Sequence, residues 1–190
     1  MTKILQPDAG LLYMKVGMHA QEGLDDIVER KLREIDKQGI ATWGYGGSSC
    51  HPRTMVQPFA RRYAESNRPI HLVMEPMVSK HNHPPVRATH WSEDNDNWSE
   101  IPEGIDALGS KFALIIGDLH VEQFDLSLDQ TAVALGPKQG RPGSLYVKGQ
   151  NDKACLRYVP DAPTPNVDRK QIKSIGLVAK LVPPYAVYLK

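Results

Sequence analysis

The groups best suited to chemistry lie in one short stretch. Trp43 and Tyr45 flank Gly44, and Gly46, Gly47, Ser48, Ser49, Cys50, His51, Pro52, Arg53 and Thr54 follow without interruption. Glycine lets a backbone approach a ligand closely. A helix start after such a loop presents unpaired N–H groups to an anion. If residues 42–46 are extended, Trp43 and Tyr45 project to one face, because side chains two apart in a strand do so. Trp91 and Trp98 bracket the acidic stretch Ser92-Glu93-Asp94-Asn95-Asp96-Asn97, in which nothing local would bury them. Aromatic walls stack planar ligands at about 1–3 kcal/mol per base. Trp43, Tyr45, Trp91 and Trp98 are therefore wall candidates, with Gly46, Gly47, Ser48, Ser49 and Arg53 as polar and anion contacts. The competing reading has each indole packed under a loop with its N–H on a carbonyl.

Cys50-His51 offers a second chemistry. A thiolate beside an imidazolium and a helix start would be acidic and nucleophilic. Adjacent side chains rarely aim at one another, so a working pair would recruit a distant histidine such as His19, His71 or His120, with Asp118 as orienting group. That reading makes the chain a transferase or hydrolase using Cys50 and His51. The packed alternative is a small buried thiol beside a capping histidine, with Ser48, Ser49 and Thr54 as turn and cap residues. His81, His83 and His90 suggest a metal, as imidazole suits zinc, yet no HExxH or CxxC spacing accompanies them. No cofactor is implied. Lys138, Arg141 and Lys148 lie among glycines and prolines in 136–149, a basic hairpin able to follow a phosphate backbone. A solvated turn explains the same residues.

Composition narrows the classes. A chain of 190 residues, 41% hydrophobic, has enough apolar material for one cored domain spanning residues 1–190. A net charge of +1 creates no overall field for polyanions, so any nucleic-acid contact must be local. No apolar run approaches the roughly 20 residues that span a bilayer. Residues 1–10 lack the basic and apolar regions of a signal peptide. With Cys50 and Cys155 as the only cysteines, free thiols in a reducing compartment are expected, and with them a cytoplasmic location.

Hydrophobic periodicity predicts the helices and strands around these groups. Leu24, Ile27, Val28, Leu32 and Ile35 recur at helical spacing ahead of Gly39, predicting a helix over 24–37. A shorter helix is expected over about 53–66, which Pro58 should either kink or confine to the part that follows it. Residues 11–17, 70–77 and 111–117 read as strands, the last apolar enough to be buried on both faces. Shorter strands are expected at 86–91, 119–126, 131–135, 144–148, 154–159, 175–182 and 185–189. Two helices near the N-terminal side with strands dominating afterwards predict an α+β domain with a curved or barrel-like mixed sheet.

This order of strand, helix, tryptophan-bearing segment, helix, long apolar strand and aromatic loop resembles the PUA-like group that includes YTH and EVE domains. The resemblance covers residues 11–126 and rests on element order with the placement of Trp43, Trp91 and Trp98. It implies recognition of a modified or flipped base in an aromatic pocket, without catalysis. The leading expectation is thus nucleotide, nucleobase or nucleic-acid recognition. A chain whose Gly-rich loop meets a protein partner is the remaining alternative.

Overall fold

The computed structural model describes residues 3–46, 49–79, 83–148, 151–163 and 171–190. Nine strands form one mixed sheet in the order β2-β6-β9-β3-β1-β8-β7, with β4 on β9 and β5 on β4. The strands are β1 (Gly10–Val16), β2 (Ala41–Tyr45), β3 (Ile70–Pro76), β4 (His90–Ser92), β5 (Ser99–Glu100), β6 (Phe112–Ser127), β7 (Thr131–Val133), β8 (Lys153–Tyr158) and β9 (Ile172–Leu189). Among the described residues only β1 and β3 run parallel. The helices are α1 (Leu24–Gln38), α2 (Gln57–Glu65) and the one-turn α3 (Gly143–Tyr146). The fold is α+β, and its sheet is curved without closing into a barrel. No helix among the described residues is long and apolar enough to cross a membrane.

The curvature arises in β6 and β9. Their ladder slips between Leu114 and Ile116, where the partners jump from Ala186 to Leu181. Pro183 and Pro184 lie in that gap, where neither needs a ladder N–H. β9 bends there, pairing with β3 through residues 177–180 and with β4 through Tyr188 and Leu189. Leu114 and Ile116 join the inner core with Leu12, Met14, Leu72 and Met74. Ala113 and Ile115 face the opposite side, against Val187. A second layer on the outer face of β1 holds Leu11, Tyr13, Val73, Val178 and Leu156.

α1 ends as its sequence predicts. Gly39 takes φ 76° and returns its N–H to the Ile35 carbonyl at 2.8 Å. Ile27 is buried and Leu24, Val28 and Ile35 pack against the core as expected, with one exception. Leu32 is 42% exposed, and Lys31 and Glu34 are buried instead. The Lys31 ammonium bonds Glu34 at 2.9 and 3.1 Å, Thr42 Oγ1 at 3.2 Å and the Asp106 carbonyl. A cation so completely partnered can occupy a position that apolar patterning assigns to leucine. Ahead of α2, residues Pro52–Val56 form a π-helical turn, and Pro58 stands in the first turn of α2. That position needs no backbone donor.

Six expected strands differ, those at 175–182 and 185–189 being one strand, β9. The pieces at 111–117 and 119–126 are one strand with register shifts. Residues 144–148 contain the end of α3, which starts after Pro142. Of 86–91, only His90 and Trp91 are in a strand, joined by Ser92.

Candidate functional site

A cavity of about 740 Å3 opens where β1 and β3 end, between α1, β2 and residues 106–112. This is within the range of small-molecule sites. The inward side chains of β1 and β2, Met14, Val16, Trp43 and Tyr45, line it together with Ile27 of α1 and Phe112 at the start of β6. Alternation along β2 places Trp43 and Tyr45 on this face, and Thr42 on the other beside Lys31. The Tyr45 and Phe112 rings lie 6.0 Å apart at 41°. Gly44 is required by the approach of Ser110, whose Oγ would stand 2.5 Å from a Cβ there.

The polar wall is cationic. Lys153 holds its Nζ 5.7 Å from the Tyr45 ring centroid and 3.1 Å from Asp152 Oδ1. Arg30 pairs with Glu22 and with Glu34. Lys15 and Lys111 also line the cavity, and neither has an ion pair among the described residues. His19 Nε2 lies 3.2 Å from the Leu108 carbonyl and 3.0 Å from Ser110 Oγ. An Nε2–H donates to that carbonyl, whereas an unprotonated Nε2 accepts the Ser110 hydroxyl. Burial lowers the His19 pKa, more than the neighbouring carbonyls and Glu22 raise it. The His83 ring is 6.3 Å away. At the mouth, Met18 and Met77 remain exposed.

Burial raises the Tyr45 pKa far above that of a free phenol. Tyr13, buried and donating to Glu75, is raised in the same way. A raised folded pKa contributes stability that is complete below the unfolded value of about 10 and is lost as pH climbs beyond it. Spectrophotometric titration should therefore show at least two phenols of the seven ionising only on alkaline unfolding. Tyr13→Phe and Tyr45→Phe should each remove one of them. Ionisation of all seven in a single reversible step near pH 10 would contradict the burial of these two.

The sequence-derived candidates separate into distinct places. Trp43, Tyr45 and Gly46 line the cavity, while Gly47 and Ser48 lie outside the described residues. Ser49 ties its loop to Asp152 through a 3.3 Å hydrogen bond. Trp91 is not part of this wall. It packs on the opposite face of β6, against the Ala113, Ile115 and Val187 cluster, because its strand pairs with the end of β9. With Arg53 it borders a separate polar groove that also includes Gln57, Arg61 and Glu93. Trp98 lies beneath Lys190, whose Nζ is 4.7 Å from its ring. The three tryptophans thus do not converge. Lys138 and Arg141 are exposed between β7 and α3 and Lys148 is exposed after α3, and none lines the cavity.

The alternative catalytic and metal sets are likewise divided. Cys50 is buried with its sulfur against Cys155. His51 packs edge-on to Phe112 and Tyr188, and its Nδ1 is buried without a hydrogen-bond partner among the described residues. His120 instead meets Glu122 at 3.0 Å and Asp118 at 3.8 Å, on an exposed part of β6. His71 is lowered by burial and by Lys180. His81 lies outside the described residues, His83 faces His19, and His90 bonds Thr89. Among the described residues, no group of three His, Cys, Asp or Glu side chains is placed to hold a metal ion.

Phe112, Lys153, Lys15 and Lys111 are cavity residues that local sequence did not single out for this wall. They come from strand ends remote from β2, and only the pairing of β2 with β6 and of β1 with β8 brings them in. No protein-family model, curated protein or solved structure matches the chain.

Proposed function

We propose that the chain recognises a nucleotide or nucleobase, free or within a nucleic acid, in the cavity at the ends of β1 and β2. One observation carries this reading. Trp43, Tyr45 and Phe112 line a cavity that Lys15 and Lys111 border, neither with an ion pair among the described residues. A ring wall suits a planar base, and cations at its edge suit a phosphate. Arg30, Lys31 and Lys153 are paired with Glu22, Glu34 and Asp152.

Calorimetric titration with bases, nucleosides and nucleoside monophosphates tests the reading. At least one purine or pyrimidine series should bind, with the monophosphate tighter than its nucleoside and its affinity falling with salt. Replacing Lys15 and Lys111 together with glutamate should weaken the monophosphate and leave the nucleoside nearly unchanged. No binding of any base-containing compound would sink the proposal.

A further inference from the structure

Cys50 and Cys155 are the only cysteines of the chain. Although 105 positions separate them, their sulfurs lie 3.9 Å apart, with the Cys155 thiol donating to Cys50 Sγ. Their settings differ. Cys155 is held in β8, opposite Leu12 of β1, and its carbonyl accepts the Ala134 N–H at 2.9 Å. Cys50 follows the Gly-rich loop, with a left-handed φ of 53°. One thiol is therefore fixed in the sheet, and the other is carried on the connection between β2 and the π-helical turn.

We propose that Cys50 and Cys155 form a redox-active dithiol, which closes to a disulfide by exchange with a low-molecular-weight disulfide such as oxidised glutathione and thereby reshapes the aromatic wall of the cavity. Cys50 is the attacking group; at 3% exposure it meets the small disulfide only when the connection that carries it opens outward. The hydrogen bond from Cys155 favours its thiolate and lowers its pKa against the opposing effect of burial. The Cys155 thiol is held well above its usual range by that same contact and by its complete burial.

In the first step the Cys50 thiolate attacks one sulfur of the small disulfide. A Cys50–glutathione bond forms, the small S–S bond breaks, and one glutathione thiolate leaves and takes up the proton that Cys50 gave up. Cys155 then loses its proton and attacks Cys50 Sγ, expelling the second glutathione, which is protonated in turn. Two protein S–H bonds and one S–S bond are exchanged for one protein S–S bond and two glutathione thiols. Two electrons pass from the protein to the small disulfide. The sulfurs must approach to about 2.05 Å, and most of that movement falls on residue 50.

Residue 50 is connected directly to the cavity wall. Its carbonyl accepts the Tyr45 hydroxyl at 3.2 Å. Beside it, Ser49 bonds Asp152, which holds Lys153 over the Tyr45 ring. Drawing Cys50 toward β8 therefore displaces the Tyr45 hydroxyl contact and the cation above the ring. The effect on affinity rests on the nucleotide reading of this cavity, whereas the dithiol itself does not.

Incubation of the native chain with oxidised glutathione, acid quenching, alkylation and peptide mass analysis provide the test. A Cys50–Cys155 linked peptide is expected, with the intact mass reduced by two hydrogens, and reduced glutathione should reverse it. Cys155→Ala should stop at a Cys50–glutathione adduct, and Cys50→Ala should leave Cys155 unmodified in the folded chain. The reduced form should bind the best nucleotide about tenfold more tightly than the oxidised form, equivalent to 1.4 kcal/mol. Absence of the linked peptide overturns the dithiol, as does a bond that reduced glutathione cannot reopen. Equal affinities overturn the coupling to the cavity. Failure of both forms to bind any nucleotide removes the nucleotide reading, and the linked peptide still decides the dithiol.

Discussion

Replacing Lys31 by methionine is expected to lower the stability of the chain by about 3–5 kcal/mol, the usual consequence of removing one member of a buried ion pair. Lys31 and Glu34 are both buried, and their contact at 2.9 Å joins α1 to Thr42 of β2 and to Asp106. Without the ammonium, Glu34 retains Arg30 at 3.3 Å and the Asp106 N–H at 3.1 Å, too little to offset its desolvation. Adding Glu34→Gln should recover much of the loss, since the amide oxygen keeps those donors and carries no charge. Chemical denaturation of both variants provides the measurement. A single substitution costing less than about 1 kcal/mol would mean that this pair does not hold α1 to the sheet.

The same lysine gives a pH signature. Burial, opposed by Glu34, pushes its pKa down to about 8. Between that value and the unfolded value near 10.4, the unfolded chain carries a proton that the folded chain has released, so stability rises with pH. The window closes near pH 10, where Tyr13 and Tyr45 begin to act in the opposite direction. Lys31→Met should lose the rise between pH 8 and 10 and retain the decline above it.

Lys31 also shows where sequence reading stops. Periodicity identified α1 and its glycine stop, because helical spacing and the left-handed cap are local properties. It placed Leu32 inward because patterning has no means of knowing that Glu34, Thr42 and the Asp106 carbonyl will surround a lysine. Trp43 and Tyr45 were legible as a shared face, since alternation in a strand is local too. The separation of Trp91 from them was not, for it depends on Trp91 pairing with Leu189, 98 positions away by number. Lys153 and Phe112 depend on equally remote ladders. The curvature could be anticipated from element content, whereas the bend in β9 at Pro183 and Pro184 reads locally as a break between two strands.

Trp43 provides the sharpest test of the site. Its side chain is 4% exposed and belongs both to the inner core and to the cavity wall. Trp43→Ala should cost about 3–5 kcal/mol of stability through the hole it leaves, so loss of binding in that variant alone would not distinguish wall from core. Trp43→Phe keeps an aromatic face and should remain folded, with nucleotide affinity reduced by up to about tenfold through the smaller stacking surface. The three tryptophans occupy separate surroundings: Trp43 in the cavity, Trp91 against Ala113 and Val187, and Trp98 beneath Lys190. Saturable quenching of fluorescence by the nucleotide should therefore disappear in Trp43→Phe while calorimetry still detects binding. It should persist in Trp91→Phe and Trp98→Phe. Quenching that survives in Trp43→Phe and vanishes in Trp91→Phe would move the ligand to the groove bordered by Arg53 and Trp91, on the other side of β6, and would remove the cavity from the proposed function.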